Sequence, residues 1–189
     1  MQRGHMHSTD AELIRRAQGG DHQAFGALVQ QHQGRVFSFV QRLCGNPDQA
    51  LDLTQDTFIK VWDALPDWRP DARFETWLLR IARNTTIDAL RRRRHEPDAL
   101  PDDAVLVDHG PTPLRQLESS RSIAQLDDLL ARLPVAQREV LLLRELEGLS
   151  YQELAAALDI SEGTVKSRLA RARSAVLEAR NNTIGASDD

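Results

Sequence analysis

The sequence predicts an all-α fold of two small helical domains joined by a flexible acidic linker, with a helix-turn-helix in the second domain. Three observations carry this. Apolar residues recur at spacings of three and four along both halves. Four prolines, at 97, 101, 111 and 113, interrupt the pattern in the middle of the chain. The stretch from Gly148 to Arg173 then combines a cap, a turn, an apolar stripe and a basic face.

The first helix is capped by Thr9 or Asp10, runs through Ala17 and ends at Gly19-Gly20. Asp21 caps the second, whose buried side is Phe25, Leu28, Val29, Val36, Phe37, Val40 and Leu43, and Gly45-Asn46-Pro47 stops it. A third helix, Asp48 to about Leu65, buries Leu51, Phe58, Val61, Trp62 and Leu65. Its opposite face carries Asp52, Gln55, Asp56, Ile59 and Asp63, which reads either as solvated surface or as a docking face for a basic partner helix. A loop over Pro66 to Asp71 leads to a fourth helix, from about Arg73 to Arg94. Trp62 and Trp77 belong to apolar faces, the latter with Phe74, Leu78 and Ile81. Trp68 lies between prolines beside Arg69 and reads either as a stacking platform for an unpaired base or as a cover for the domain edge. On the fourth helix Arg80, Arg83, Asn84, Thr85, Asp88 and Arg91 suit bases and phosphates.

In the second half, Ser150 and Glu153 form a capping box ahead of Leu154, Ala155 and Leu158, and Asp159-Ile160 make a turn. Ser161 caps the next helix, which turns Val165, Leu169, Ala172 and Val176 inward and Thr164, Ser167, Arg168 and Arg171 outward. Lys166 and Arg173 flank that face, where a long cation reaches phosphate more easily than a base edge. Such a helix fits the major groove, where Arg can bond guanine in bidentate fashion and Ser or Thr can serve either kind of base edge.

The chain of 189 residues is 41% hydrophobic and 28% charged, normal for a soluble protein. No apolar run or signal-peptide core is present, so a cytoplasmic location is expected. Residues 1–7, which include Gly-His-Met, are set aside as either a cloning scar or native. The net charge of −4 conceals an uneven distribution: Arg80, Arg83 and Arg91 to Arg94 crowd one helix, Lys166 to Arg173 another, and Glu96, Asp98, Asp102, Asp103 and Asp108 lie between. About twenty residues of linker, 95–115, can span on the order of 60 Å when extended. It reads either as a passive tether or as a segment that mimics RNA charge in a nucleic-acid channel.

Cys44 is the single cysteine and reads as a small core residue, which excludes an internal disulfide or a thiol-rich metal site. The six histidines read as scattered surface residues, without metal-ligand spacing. The acidic residues lack the companions that nucleic-acid chemistry needs, so no catalytic residue, metal, cofactor or small-molecule substrate is expected. A stand-alone helix-turn-helix regulator of duplex DNA is the alternative, but the dimerisation helix and ligand domain it needs are not evident.

Together the residues resemble the extracytoplasmic-function (ECF) sigma factors of bacterial RNA polymerase, of the sigma-70 family, over about Asp10 to Glu178. The front half carries Asp52-Leu-Thr-Gln-Asp-Thr-Phe-Ile-Lys-Val-Trp62, Phe74-Glu-Thr-Trp-Leu-Leu-Arg-Ile-Ala-Arg-Asn84 and Ile87-Asp-Ala-Leu-Arg-Arg-Arg-Arg94. The back half carries Leu133-Pro134, Arg138, Leu143 to Tyr151, and Gly163-Thr-Val-Lys-Ser-Arg-Leu-Ala-Arg-Ala-Arg173. The resemblance implies a region 2 domain over 9–94, the linker over 95–115, a region 4 domain over 116–180 and a polar tail over 181–189. It implies that Asp52, Gln55, Asp56, Ile59 and Asp63 dock on the clamp coiled coil of core polymerase. It further implies that Trp68, Arg69, Arg80, Arg83, Asn84, Asp88 and Arg91 recognise and open the minus-ten element. Ser161, Thr164, Lys166, Ser167, Arg168, Arg171 and Arg173 are then the minus-thirty-five reader. Control by an anti-sigma factor, often membrane-bound, is implied as well.

Overall fold

The computed structural model describes residues 8–71, 73–94 and 126–185. The acidic linker and the last residues of the tail therefore lie outside the described residues, as do all histidines except His22 and His32. Helices α1 (Ser8–Gln18), α2 (His22–Cys44), α3 (Pro47–Ala64) and α4 (Phe74–Arg94) build the first domain, with a short 3-10 turn at Leu65–Asp67. Helices α5 (residues 126–131), α6 (Val135–Leu141), α7 (Tyr151–Leu158) and α8 (Glu162–Gly185) build the second, with a π turn at Leu142–Leu146 between α6 and α7. There is no β-strand among the described residues.

The long α2 is the spine of the first domain, packing against α1, α3 and α4. Asp21 caps its start by accepting the N–H groups of Gln23 and Ala24, at 2.9 and 3.1 Å. Those N–H groups, foremost that of Ala24, and the Arg16 guanidinium hold the Asp21 carboxyl below its ordinary range. Gly45 ends the helix in the left-handed region at φ 73°, donating to Gln41 at 2.8 Å, and Asn46 caps α3 by accepting the Gln49 N–H. The stop at Gly45-Asn46-Pro47 is thus a C-cap and an N-cap in series.

Four expectations are corrected within this domain. Leu51 is not buried but 54% exposed, because α3 packs through Ala50, Leu53, Thr54, Thr57, Phe58 and Val61. The two threonines enter the core because each hydroxyl donates to the carbonyl four residues back, Thr54 to Ala50 at 2.7 Å and Thr57 to Leu53 at 2.6 Å. His32 is not a surface residue: it is 6% exposed, with its ring 5.4 Å from Phe74. Burial pushes its pKa below the ordinary value, against the raising influence of Asp10 and Glu75. Thr85, read as a surface contact, is 1% exposed. Asp10 sits within α1 instead of capping it and accepts from Gln31 at 2.7 Å. Phe39 occupies the core, while Phe37 and Phe25 are half-buried. Cys44 is also half-buried; burial raises its thiol pKa, and its Sγ donates to the Asn46 carbonyl.

The second domain closes over Leu142, Leu143, Leu154, Leu158, Val165, Leu169 and Ala172, all buried. α8 continues to Gly185, past the start expected for the polar tail, since neither proline nor glycine interrupts 164–184. The two domains touch: α4 packs on α7, and α2 on α6 and the π turn. Arg138, 8% exposed, reaches from α6 to the Leu43 carbonyl at the end of α2 (2.9 Å) and also donates to Ala131 (2.7 Å) and Leu133 (3.0 Å). A terminal helix carbonyl has no partner within its own helix, so a cation from the other domain is well placed there.

Candidate nucleic-acid interface

The helix-turn-helix is built as its caps dictate. Ser150 Oγ accepts the Glu153 N–H at 3.2 Å and the Glu153 carboxylate accepts the Ser150 N–H at 2.7 Å, completing the capping box. The Ser150 N–H holds the Glu153 carboxyl below its usual range. Gly148 at φ 70° and Asp159 at φ 54° take the left-handed conformations on either side of α7. Ser161 Oγ then caps α8 by accepting the Thr164 N–H at 3.1 Å, and it lies 2.9 Å from the Thr164 hydroxyl.

The cap Ser161 is exposed, as are Lys166, Ser167, Arg171 and Arg173 on α8, and Thr164 is half-buried. Arg171 leans back on Ser167, donating to its carbonyl at 3.3 Å. Arg173 pairs with Glu145 of the π turn at 2.6 Å, which raises its pKa further. Arg168 departs from the outward placement. Its side chain is 28% exposed and its Nη1 lies 3.5 Å from Glu139 Oε1 on α6. Sequence reasoning did not single out Tyr151, whose ring carries the Arg144 guanidinium at 5.0 Å and the Lys166 ammonium at 5.8 Å from its centre. The π turn between α6 and α7 brings Arg144 there, and nothing local in the sequence announces it.

In the first domain, Arg80, Asn84, Asp88 and Arg91 are exposed at spacings of four, four and three, so they form one ribbon along α4. Arg83 lies beside it, 19% exposed, donating to Glu139 Oε2 at 2.9 Å and to Asn84 at 3.0 Å. One carboxylate, on a residue 2% exposed, therefore binds an arginine from each candidate DNA surface.

The loop ahead of α4 is pinned by Gln18, whose amide donates to the carbonyls of Leu65 (3.1 Å) and Trp68 (2.9 Å). Trp68 is half-buried, edge-on to Phe74 at 5.8 Å and 6.2 Å from Trp77. With Arg69, Pro70 and α1 residues it lines a cleft of about 270 Å³. Arg69 is exposed and folds onto the carbonyls of Pro66 and Trp68.

On α3, Asp52, Gln55, Asp56, Ile59 and Asp63 are all exposed, and Ile59 is 61% exposed. Leu51 joins them, so the acidic face carries two bare aliphatic side chains rather than one. Beside it, α2 and α3 enclose a mostly apolar groove of about 440 Å³, where Trp62 stacks on His22 at 4.6 Å and meets Phe25 edge-on at 4.9 Å. No group of three or more metal-ligating side chains occurs among the described residues.

Comparisons with known proteins give this geometry a family. Residues 28–96 match Sigma-70 region 2 and residues 123–176 match Sigma-70, region 4. The RNA polymerase sigma factor NccH of Alcaligenes xylosoxydans xylosoxydans is 42% identical over 171 residues, 88% of this chain and 91% of the relative. The RNA polymerase sigma-H factor of Pseudomonas aeruginosa is 37% identical over 180 residues, 90% of this chain and 93% of the relative. The ECF RNA polymerase sigma-E factor of Escherichia coli K12 is also 37% identical, with 89% and 92% covered. Among solved structures, CnrH in complex with the cytosolic domain of CnrY matches with a TM-score of 0.66 at 30% identity, covering 93% of this chain and 99% of that one. The sigma factor RpoE in complex with the anti-sigma factor NepR from Bartonella quintana matches with a TM-score of 0.68 at 27% identity, covering 83% and 96%. The order of the two matched regions and the near-complete coverage of these relatives make the chain a member of the ECF RNA polymerase sigma factors, within the sigma-70 family.

Proposed function

We propose that this chain joins core RNA polymerase through the exposed face of α3, selects promoters through α4 and α8, and has no catalysis of its own. The observation that carries the reading is that one chain holds two separate polar, arginine-bearing helix surfaces, α4 with Arg80, Asn84, Asp88 and Arg91, and α8 with Lys166, Ser167 and Arg171. Each suits one of two promoter elements. In this reading region 2 spans 9–94 and region 4 spans 116–180, with the linker between them threading toward the polymerase active centre.

The α3 face fits the clamp coiled coil because its carboxylates steer a basic helix while Leu51 and Ile59 supply apolar contact. The Trp68 cleft, with Arg69 at its edge, is a site where a base unstacked from the minus-ten element can lodge, recovering part of the few kcal/mol that unstacking costs. α8 reads the upstream element in the major groove. The free chain binds DNA poorly, since its net charge of −4 opposes nonspecific adhesion, and specificity emerges with the polymerase. An anti-sigma factor holds the chain inactive, a reading supported by the complexes of CnrH with CnrY and of RpoE with NepR. The chain acts in the cytoplasm, where the polymerase is.

Run-off transcription by bacterial core polymerase, on the fragment upstream of the chain's own gene, tests the function. A discrete transcript only in the presence of the chain is expected. Failure of the chain to bind core polymerase at all would overturn the reading in favour of a stand-alone duplex regulator.

A further inference from the structure

One wall of the Trp68 cleft belongs to α1, outside both the loop and the fourth helix. Ile14, Arg15 and Gln18 share a face of that helix, since Gln18 follows the other two by four and three positions. The indole of Trp68 supplies a flat aromatic surface, Ile14 and Pro70 keep the lining apolar, and Arg15 and Arg69 are exposed cations. A planar base joined to a phosphate chain matches this combination. Among the described residues that line the cleft, Gln18 is the one whose side chain can accept a hydrogen bond, because Arg and Trp side chains only donate.

The orientation of that amide is fixed by its neighbours. Gln18 Nε2 donates to the carbonyls of Leu65 at 3.1 Å and Trp68 at 2.9 Å. Both partners are acceptors, so the nitrogen must face them, and both of its protons are used. Oε1 is left without a partner among the described residues. A preorganised acceptor of this kind distinguishes bases by what they place in front of it. For a purine in one pose, adenine presents the N6 amine where guanine presents O6; for a pyrimidine, cytosine presents the N4 amine where thymine presents O4. The amine donates to Oε1, whereas a keto oxygen would meet it as a second acceptor and leave both desolvated without a bond.

We propose that Gln18 is a specificity-determining residue for the captured base: its Oε1 favours a base with an exocyclic amine, adenine or cytosine, over the keto base of the same ring size, guanine or thymine. The role rests on the reading of the Trp68 cleft as the seat of an unstacked minus-ten base. Gln18 thereby does two things with one amide. Its nitrogen holds the loop against α1, and the loop in return holds its oxygen in the single orientation that selection requires.

The test is run-off transcription by core polymerase with the full-length chain, on its own promoter with each of the four bases placed in turn at every minus-ten position. At one position the native chain is expected to use the amine-bearing base roughly tenfold better than its keto counterpart. Gln18→Lys keeps a donor for the Leu65 and Trp68 carbonyls but replaces the acceptor by an ammonium. The preference at that position should then vanish or turn towards the keto base, with the other positions unchanged. Should Gln18→Lys fail to fold, Gln18→Met, which has the same reach and offers neither bond, should lose the preference while lowering transcription from every template. A folded variant that keeps the native preference would overturn the role of Gln18, and an equal loss on all four bases would reduce it to a pin for the loop. Transcription by the native chain without an amine preference at any minus-ten position overturns the role and leaves the sigma-factor reading standing. A native chain that yields no transcript at all removes the reading on which the role rests.

Discussion

Arg138→Ala is expected to destabilise the second domain by about 3 kcal/mol. The guanidinium donates to the carbonyls of Leu43, Ala131 and Leu133, at 2.9, 2.7 and 3.0 Å, from a residue 8% exposed. Hydrogen bonds from a charged group each contribute about 1.5 to 3 kcal/mol, so three set a ceiling of roughly 9 kcal/mol. Most of that ceiling is offset by returning a buried charge to water and by water reaching the abandoned carbonyls, which leaves about 3 kcal/mol. Arg138→Lys should recover little more than a third of the loss, because a compact ammonium cannot span the three acceptors. Urea denaturation followed by circular dichroism reads the loss. Tryptophan fluorescence provides the internal control, since Trp62, Trp68 and Trp77 are the only tryptophans and all lie in the first domain. The dichroism transition of the second domain should move by the full amount and the fluorescence transition by about 1 kcal/mol or less, the share of the Leu43 contact. A shift below about 0.5 kcal/mol in both signals would refute the reasoning, since it would mean that the buried bonds are matched by solvent.

Three further outcomes are expected. Ser150→Ala removes one half of the capping box and should cost about 1 kcal/mol, with upstream-element DNA binding weakened in parallel; a thermal melt of the full chain measures the first and a band-shift with holoenzyme the second. His32 has its pKa depressed in the folded chain from the ordinary 6.5, so the unfolded chain takes up the proton first and stability falls as pH drops below that value, levelling off beneath the folded pKa. A variant His32→Phe should show a flatter profile of melting temperature between about pH 7.5 and 5.5 than the native chain, and parallel profiles would count against this. Ile59→Asp should weaken capture of core polymerase by about 2 kcal/mol or more while leaving the melting temperature within a degree or two, since Ile59 is already 61% exposed; pull-down of core polymerase and a melt of the same preparation separate the two.

Where a signal is local, the sequence carried it. The Ser150 and Glu153 pair, the Asp21 cap and the Gly45 stop each involve residues within four positions of one another, and each forms as its chemistry requires. The burial pattern was less legible where polar residues enter the core. Thr54, Thr57 and Thr86 satisfy their hydroxyls on carbonyls of their own helices and so pack like valine; on α3 the buried face runs through Thr54 and Thr57, which leaves Leu51 outside. The Arg83, Glu139 and Arg168 cluster could not be read at all. Its members stand 56 and 29 positions apart, and nothing in a charge run shows which arginine will meet a buried acid. For the candidate DNA residues, the helices and their basic character are legible in the sequence, whereas the division into exposed Arg80 and Arg91 and half-buried Arg83 and Arg168 depends on how the two domains pack.

The bare aliphatic pair on α3 has a cost outside transcription. Leu51 and Ile59 leave hydrocarbon in water on a helix whose neighbouring groove is also mostly apolar, a combination that favours self-association whenever the chain exceeds its clients in number. Solubility of this factor is then a matter of stoichiometry: overproduced alone it should precipitate or form small aggregates at concentrations where the co-produced complex stays clear.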